Sequence, residues 1–222
     1  MSFYETLQDQ TAEERSYLRG APIIAAVFRG EITLDSYIAF LTQAYHHVKH
    51  TVPLLMACGA RLPERLEWLR EALGEYVEEE MGHQEWILND IRACGGDAEA
   101  VRAGVPAQPT ELMTAYAYHV IDRGNPVGFF GMVNVLEGTS IDLATPAAEL
   151  IRERLGLPDK AMTYLNTHGV LDQDHIEFFR KLMDRLEDRD DQQAVVHTAR
   201  IIYRLYGDLF RSLPMPRPEA VQ

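Results

Sequence analysis

The segment THGVLDQDHIEFF, residues 167–179, sets His168, Asp172 and His175 at spacings of four and three. On an ideal helix these positions fall within about 60° of one another, so two imidazoles and a carboxylate share one face. Extended both ways, the stripe reads Leu165, His168, Asp172, His175, Phe179, Leu182, Leu186, the pattern of a face turned toward a core. The anomaly recurs upstream in Leu69, Leu73, Tyr76, Glu80, His83, Ile87, Ile91 and Cys94, and again in Phe130, Val133, Glu137 and Ile141. Among the consecutive acids Glu78, Glu79 and Glu80, only Glu80 lies on its stripe. Glu79 is also four residues from His83 and stays an alternative.

Moving a bare carboxylate from water into an apolar interior costs several kcal/mol, and three such groups repel one another unless cations lie between them. Three carboxylates and three imidazoles form an oxygen and nitrogen donor set suited to iron or manganese and less discriminating against zinc. Two divalent ions bridged by carboxylates would use all six of Glu80, His83, Glu137, His168, Asp172 and His175. Each residue alone has a plainer reading. An inward histidine is more often bonded to a carbonyl, Glu80 could belong to a solvated acidic run, and Asp172 could pair with a surface base. The constellation carries the metal reading. YHHVKH adds His47 and His50, which can share a helix face and line a substrate pocket or stand as outer donors to ligands, although an exposed polar face explains them equally. His119 and His197 read as structural or surface residues, and Tyr45, Tyr76 and Tyr164 as core.

Glycine and proline divide the chain into long stretches of helical period with no sustained alternation of period two, so the fold class is all-α. A first helix is expected from Phe3 to Phe28, bent near Gly20-Ala21-Pro22, and a second from Leu34 to Arg61, opened by Thr33 or Asp35. A third runs from Pro63 to Cys94, stopped by Gly95-Gly96. After a short piece near Ala98, a fourth starts at Thr110. Asn125-Pro126 caps a fifth that breaks at Pro146 and resumes to Leu155. The sixth spans Lys160 to Glu187 and the seventh Asp191 to Ser212. Residues 1–213 read as one helical domain, and 214–222, with three prolines in the last ten residues, as a flexible tail.

The 222 residues are 46% hydrophobic and 25% charged, enough for one sizeable core. A net charge of -13, with arginines scattered among acids, excludes a nucleic-acid partner. No apolar stretch approaches the ~20 residues of a membrane span and no signal peptide is visible, so a cytoplasmic protein that binds no membrane is expected. Cys58 and Cys94 are too few for a disulfide framework and read as small buried hydrophobes.

In these residues the chain resembles the haem-oxygenase-like di-iron oxidases and oxygenases, whose seven-helix fold is shared by haem oxygenase, thiaminase-II and the pyrroloquinoline quinone synthesis protein C family. That pattern places Glu and His on one core helix, Glu on a later one, and a His, Asp, His run on a third. Glu80, His83, Glu137, His168, Asp172 and His175 fill it in order, and the likeness in helix count and order covers Phe3 to Leu213. The resemblance implies a seven-helix bundle, two iron ions per chain, O2 and a small organic molecule as substrates, and a homodimer. Oxidation by hydroxylation, N-oxygenation, desaturation or C–C cleavage is implied without a choice among them. Haem is disfavoured because the first histidine, His46, falls on the second helix, and thiaminase chemistry because no cysteine lies on the fifth. Cofactorless oxidation of the quinone-synthesis type, or a non-catalytic ligand-binding protein of the same fold, is the alternative.

Overall fold

The computed structural model describes residues 1–215, except for the side chains of residues 168–174. Residues 216–222, most of the expected tail, lie outside the described residues, as do the side chains of His168 and Asp172. Among the described residues there are twelve α-helices and no strand. The seven long stretches expected are present, several of them divided into shorter helices.

The first stretch is three helices: α1 (Phe3–Gln10), α2 (Ala12–Arg19) and α3 (Pro22–Phe28). A capping box opens α1, with Ser2 accepting from the Glu5 amide and Glu5 accepting from the Ser2 amide. The bend at Gly20-Ala21-Pro22 is where proline predicts it, and a further break at Thr11 has no proline or glycine to announce it. The second stretch divides at Lys49-His50 into α4 (Leu34–Val48), capped by Thr33, and α5 (Thr51–Arg61). The third begins with a 3-10 turn at Glu64–Leu66 and continues as α6 (Glu67–Glu80) and α7 (His83–Ala93). The unbroken helix expected there is interrupted at Gly82, whose φ of 94° lies in the left-handed region open chiefly to glycine.

Asp97 caps the short α8 (Ala98–Ala103), and α9 (Gln108–Arg123) follows. Asn125 caps a 3-10 turn, Pro126–Phe129, which leads into α10 (Phe130–Leu155). Contrary to the expected break, α10 continues through Pro146. That residue is exposed, so the Asp142 carbonyl it leaves without an amide partner is turned to solvent. A third 3-10 turn, Asp159–Ala161, precedes α11 (Thr163–Asp184), and Asp188 caps α12 (Arg189–Ser212).

Helix α10 is the centre of the bundle, packed along α11 on one side and α12 on the other, while α12 also packs against α2 and α9. Two further pairs, α4 with α7 and α5 with α6, complete the core. Cys58 and Cys94 are buried thiols as expected, their pKa values pushed up by burial to about 12 and about 11.

The start of α11 is held by a residue from another helix. Asp90, on α7 and fully buried, accepts hydrogen bonds from the backbone amides of Thr163 at 3.1 Å and Tyr164 at 2.8 Å. A carboxylate at a helix N-terminus meets both free amides and the positive end of the dipole. Burial outweighs these favourable contacts and pushes the Asp90 pKa from 3.8 up to about 6. A carboxyl raised on folding contributes stability that is full below about 3.8 and lost as pH rises through about 6. We therefore expect unfolding curves of Asp90→Asn to lack a decline in stability that the parent shows between those pH values. Asp90→Ala should lose about 1–2 kcal/mol at pH 7 by baring two amides. Parallel pH profiles for parent and Asp90→Asn would contradict this.

Candidate metal centre

Glu80 ends α6 and His83 opens α7. The left-handed turn at Gly82 brings His83 Nδ1 to 3.0 Å from Glu80 Oε2. One turn later Trp86 stacks on the imidazole, ring centroids 3.9 Å apart and planes 26° from parallel. A carboxylate at its edge and an indole on its face thus fix the orientation of His83.

Glu137 projects from the inner face of α10 and is 8% exposed. His175, buried on α11, turns both ring nitrogens toward acids. Its Nε2 lies 2.8 Å from Glu79 Oε2 and its Nδ1 lies 3.7 Å from Glu137 Oε1. The question of Glu79 or Glu80 thereby takes another form: Glu80 meets His83 beside it, and Glu79 reaches across to His175. Glu80 is the more enclosed, its side chain 11% exposed against 54% for Glu79. Tyr76, one turn before Glu80, lies edge-on to His175 with centroids 5.6 Å apart. Burial, then the charge of Glu137, push the Tyr76 phenol pKa far above its ordinary value.

The structure thus gathers Glu79, Glu80, His83, Glu137 and His175 from four helices, α6, α7, α10 and α11. Helix α11 is continuous through residues 168–174, so backbone positions 168, 172 and 175 share a face. Among the described residues, no three His, Cys, Asp or Glu side chains are gathered tightly enough to hold an ion. The donors nevertheless fit iron in kind. They are carboxylate oxygens and imidazole nitrogens in pairwise contact, mostly enclosed, with no thiolate among them.

Beside the acids is a cavity of about 90 Å³, bounded among others by His47, Tyr76, Glu80, Met132, Glu137 and Ser140. His47 is buried and edge-on to Tyr206, centroids 5.7 Å apart. His50 does not share that face. The break after α4 turns it toward α9, where its Nδ1 lies 3.1 Å from the Tyr118 hydroxyl. His119 and His197 are exposed. Trp86 could have been found from its spacing of three after His83, and Tyr76 from its place on the stripe. Tyr206, 69 residues beyond Glu137 and on a different helix, gave no local signal.

The family model described as "iron-containing redox enzyme" matches residues 38–207. Among solved structures, a domain of unknown function with a heme oxygenase-like fold from Shewanella denitrificans OS217 is 25% identical with a TM-score of 0.83, over 95% of this chain and 90% of that one. A TenA homologue from Pseudomonas syringae pv. tomato is 11% identical with a TM-score of 0.75, over 95% and 93% of the two chains. Heme oxygenase from Leptospira interrogans is 15% identical with a TM-score of 0.76, over 96% and 100%. The last two likenesses speak to fold alone. No curated protein matches. The fold is therefore the all-α haem-oxygenase-like one, and no described helix is long and apolar enough to cross a membrane.

Proposed function

The chain belongs to the family of iron-containing redox enzymes, and from that premise we propose that it is a di-iron oxidase or oxygenase that uses O2 to oxidise a small organic substrate. The observation that best supports this reading is the convergence of His83 and His175 with Glu79, Glu80 and Glu137 beside a largely apolar cavity. Glu80, His83, Glu137, His168, Asp172 and His175 would hold the metal, with Glu79 positioned to replace or assist Glu80. Bound iron supplies the electron chemistry of O2 for which side chains have no equivalent.

The chain's own residues do the rest. Trp86 and Glu80 hold the His83 ring at a fixed angle, and the Tyr76 ring packs edge-on against His175. Leu54, Leu55, Phe129 and Val133 give the cavity an apolar wall that excludes water from the reacting bond. His47 offers the substrate a polar contact in that wall.

Anaerobic titration with ferrous iron should saturate at about two ions per chain, the number that six shared ligands can hold. Exposure of the loaded protein to O2 should then give a transient visible absorption and measurable O2 uptake. Protein that retains no iron in that titration would sink the reading.

A second reading, cofactorless oxidation or ligand binding, has one observation in its favour. The acids already have imidazole partners inside the chain, so the polar cluster could act on an organic molecule directly. Turnover by protein stripped of metal would select it.

A further inference from the structure

A second cavity, of about 100 Å³, lies between α3, α4, α10 and α12, with walls that are almost wholly aliphatic and aromatic. It adjoins the cavity at the acids, because Ser140, Tyr164 and Tyr206 bound both. One helix runs the length of the pair. Along α10, Glu137 and Ser140 are followed by Leu143, Ala144, Ala147 and Ile151, successive positions of one face, all lining one or both cavities. From Glu137 to Ile151 the helix rises about 21 Å at about 1.5 Å per residue.

Polarity is distributed unevenly along this path. Glu80, Glu137 and His47 stand at one end, whereas the far end presents Ile23, Ile24, Val27, Phe28, Leu143 and Ile151. Among the described residues no lysine or arginine lines either cavity, so no charged group answers an ionic substrate away from the acids. An apolar void weakens a fold by the contacts its walls forgo. One that adjoins a reactive centre is accounted for by the part of a ligand that fills it.

We propose that the substrate is an amphiphile, with its polar end at Glu137 and His47 and a hydrocarbon portion that passes Ser140, Tyr164 and Tyr206 into the cavity between α3, α10 and α12. This names the substrate class of the oxidase proposed above and rests on that reading for the chemistry, though not for the binding. The test uses metal-free protein and a series of n-alkyl alcohols from hexyl to dodecyl, with affinity measured by calorimetry. Affinity should rise about fourfold per methylene until the cavity is filled. Ala144→Phe, which fills the path, should shift the break to shorter chains and weaken the longest alcohol by about tenfold or more. Ile151→Ala, which lengthens the path, should shift it to longer chains, and circular dichroism reports whether each variant is folded. Affinity that is flat with chain length, or a break moved by neither folded variant, overturns the proposal. Because the binding is measured without iron, failure of iron uptake leaves this assignment standing, and flat binding leaves the oxidase reading standing.

Discussion

Glu137→Gln is expected to reduce ferrous iron uptake from about two ions per chain to one or none and to lower O2-dependent turnover at least ~100-fold. The substitution preserves shape and one hydrogen-bonding oxygen while removing the charge that a divalent ion needs. Its neighbours make the effect specific. His175 Nδ1 lies 3.7 Å from Glu137, so an amide there still has a polar partner and the metal-free fold should be at least as stable as the parent. Anaerobic iron titration and thermal unfolding of the same sample separate the two effects. Lost iron with an intact fold identifies a ligand, whereas a large fall in stability with iron retained assigns Glu137 to the scaffold. The same comparison ranks the adjacent acids: Glu80→Gln, the more enclosed and beside His83, should cost more iron than Glu79→Gln.

The order of elements was legible because caps and breakers act locally. Thr33, Asn125 and Gly95 end or begin helices where their short-range chemistry requires. Burial was legible too: Leu69, Leu73, Tyr76, Ile87 and Ile91 are all core residues, although the helix that carries them is broken at Gly82. A single glycine tolerates a helix interior as readily as a left-handed turn, and only tertiary packing decides between them. Pro146 erred in the opposite direction, since its cost depends on whether the released carbonyl reaches water. The inward placement of Glu80, His83, Glu137 and His175 followed from periodicity, yet the contact of Glu79 with His175 joins residues 96 positions apart. No pattern within one helix contains such a contact. The separate fates of His47 and His50 hang on the break between α4 and α5, which Pro53 marks in the first turn of α5 by leaving the Lys49 carbonyl without a helical amide partner.

The glycines of NPVGFFGMVNVLEG, residues 125–138, could shape a pocket wall or allow close helix packing, and the backbone decides for packing at the start of α10. A Cβ built on Gly131 would lie 2.4 Å from the Val195 carbonyl oxygen and 2.6 Å from the Ala199 amide nitrogen, both backbone atoms of α12. Neither can move as the end of a side chain moves, so Gly131→Ala must separate two central helices. Overpacking of this kind costs about 3 kcal/mol or more, well above the ~1 kcal/mol that alanine gains over glycine in helix propensity. For a chain of this length we expect a Tm lower by about 6–12 °C. Gly138, in the same helix, has nothing within 4 Å of its would-be Cβ, so Gly138→Ala should show the propensity gain alone and raise Tm by about 2–4 °C. Differential scanning calorimetry of the two variants reads opposite signs from one chemical change. Because Glu137 lies less than two turns beyond Gly131, a displaced α10 should also lower iron uptake in Gly131→Ala. A Gly131→Ala protein as stable as the parent would mean that α10 and α12 do not approach at backbone contact, and that Glu137 is positioned by something other than this pair.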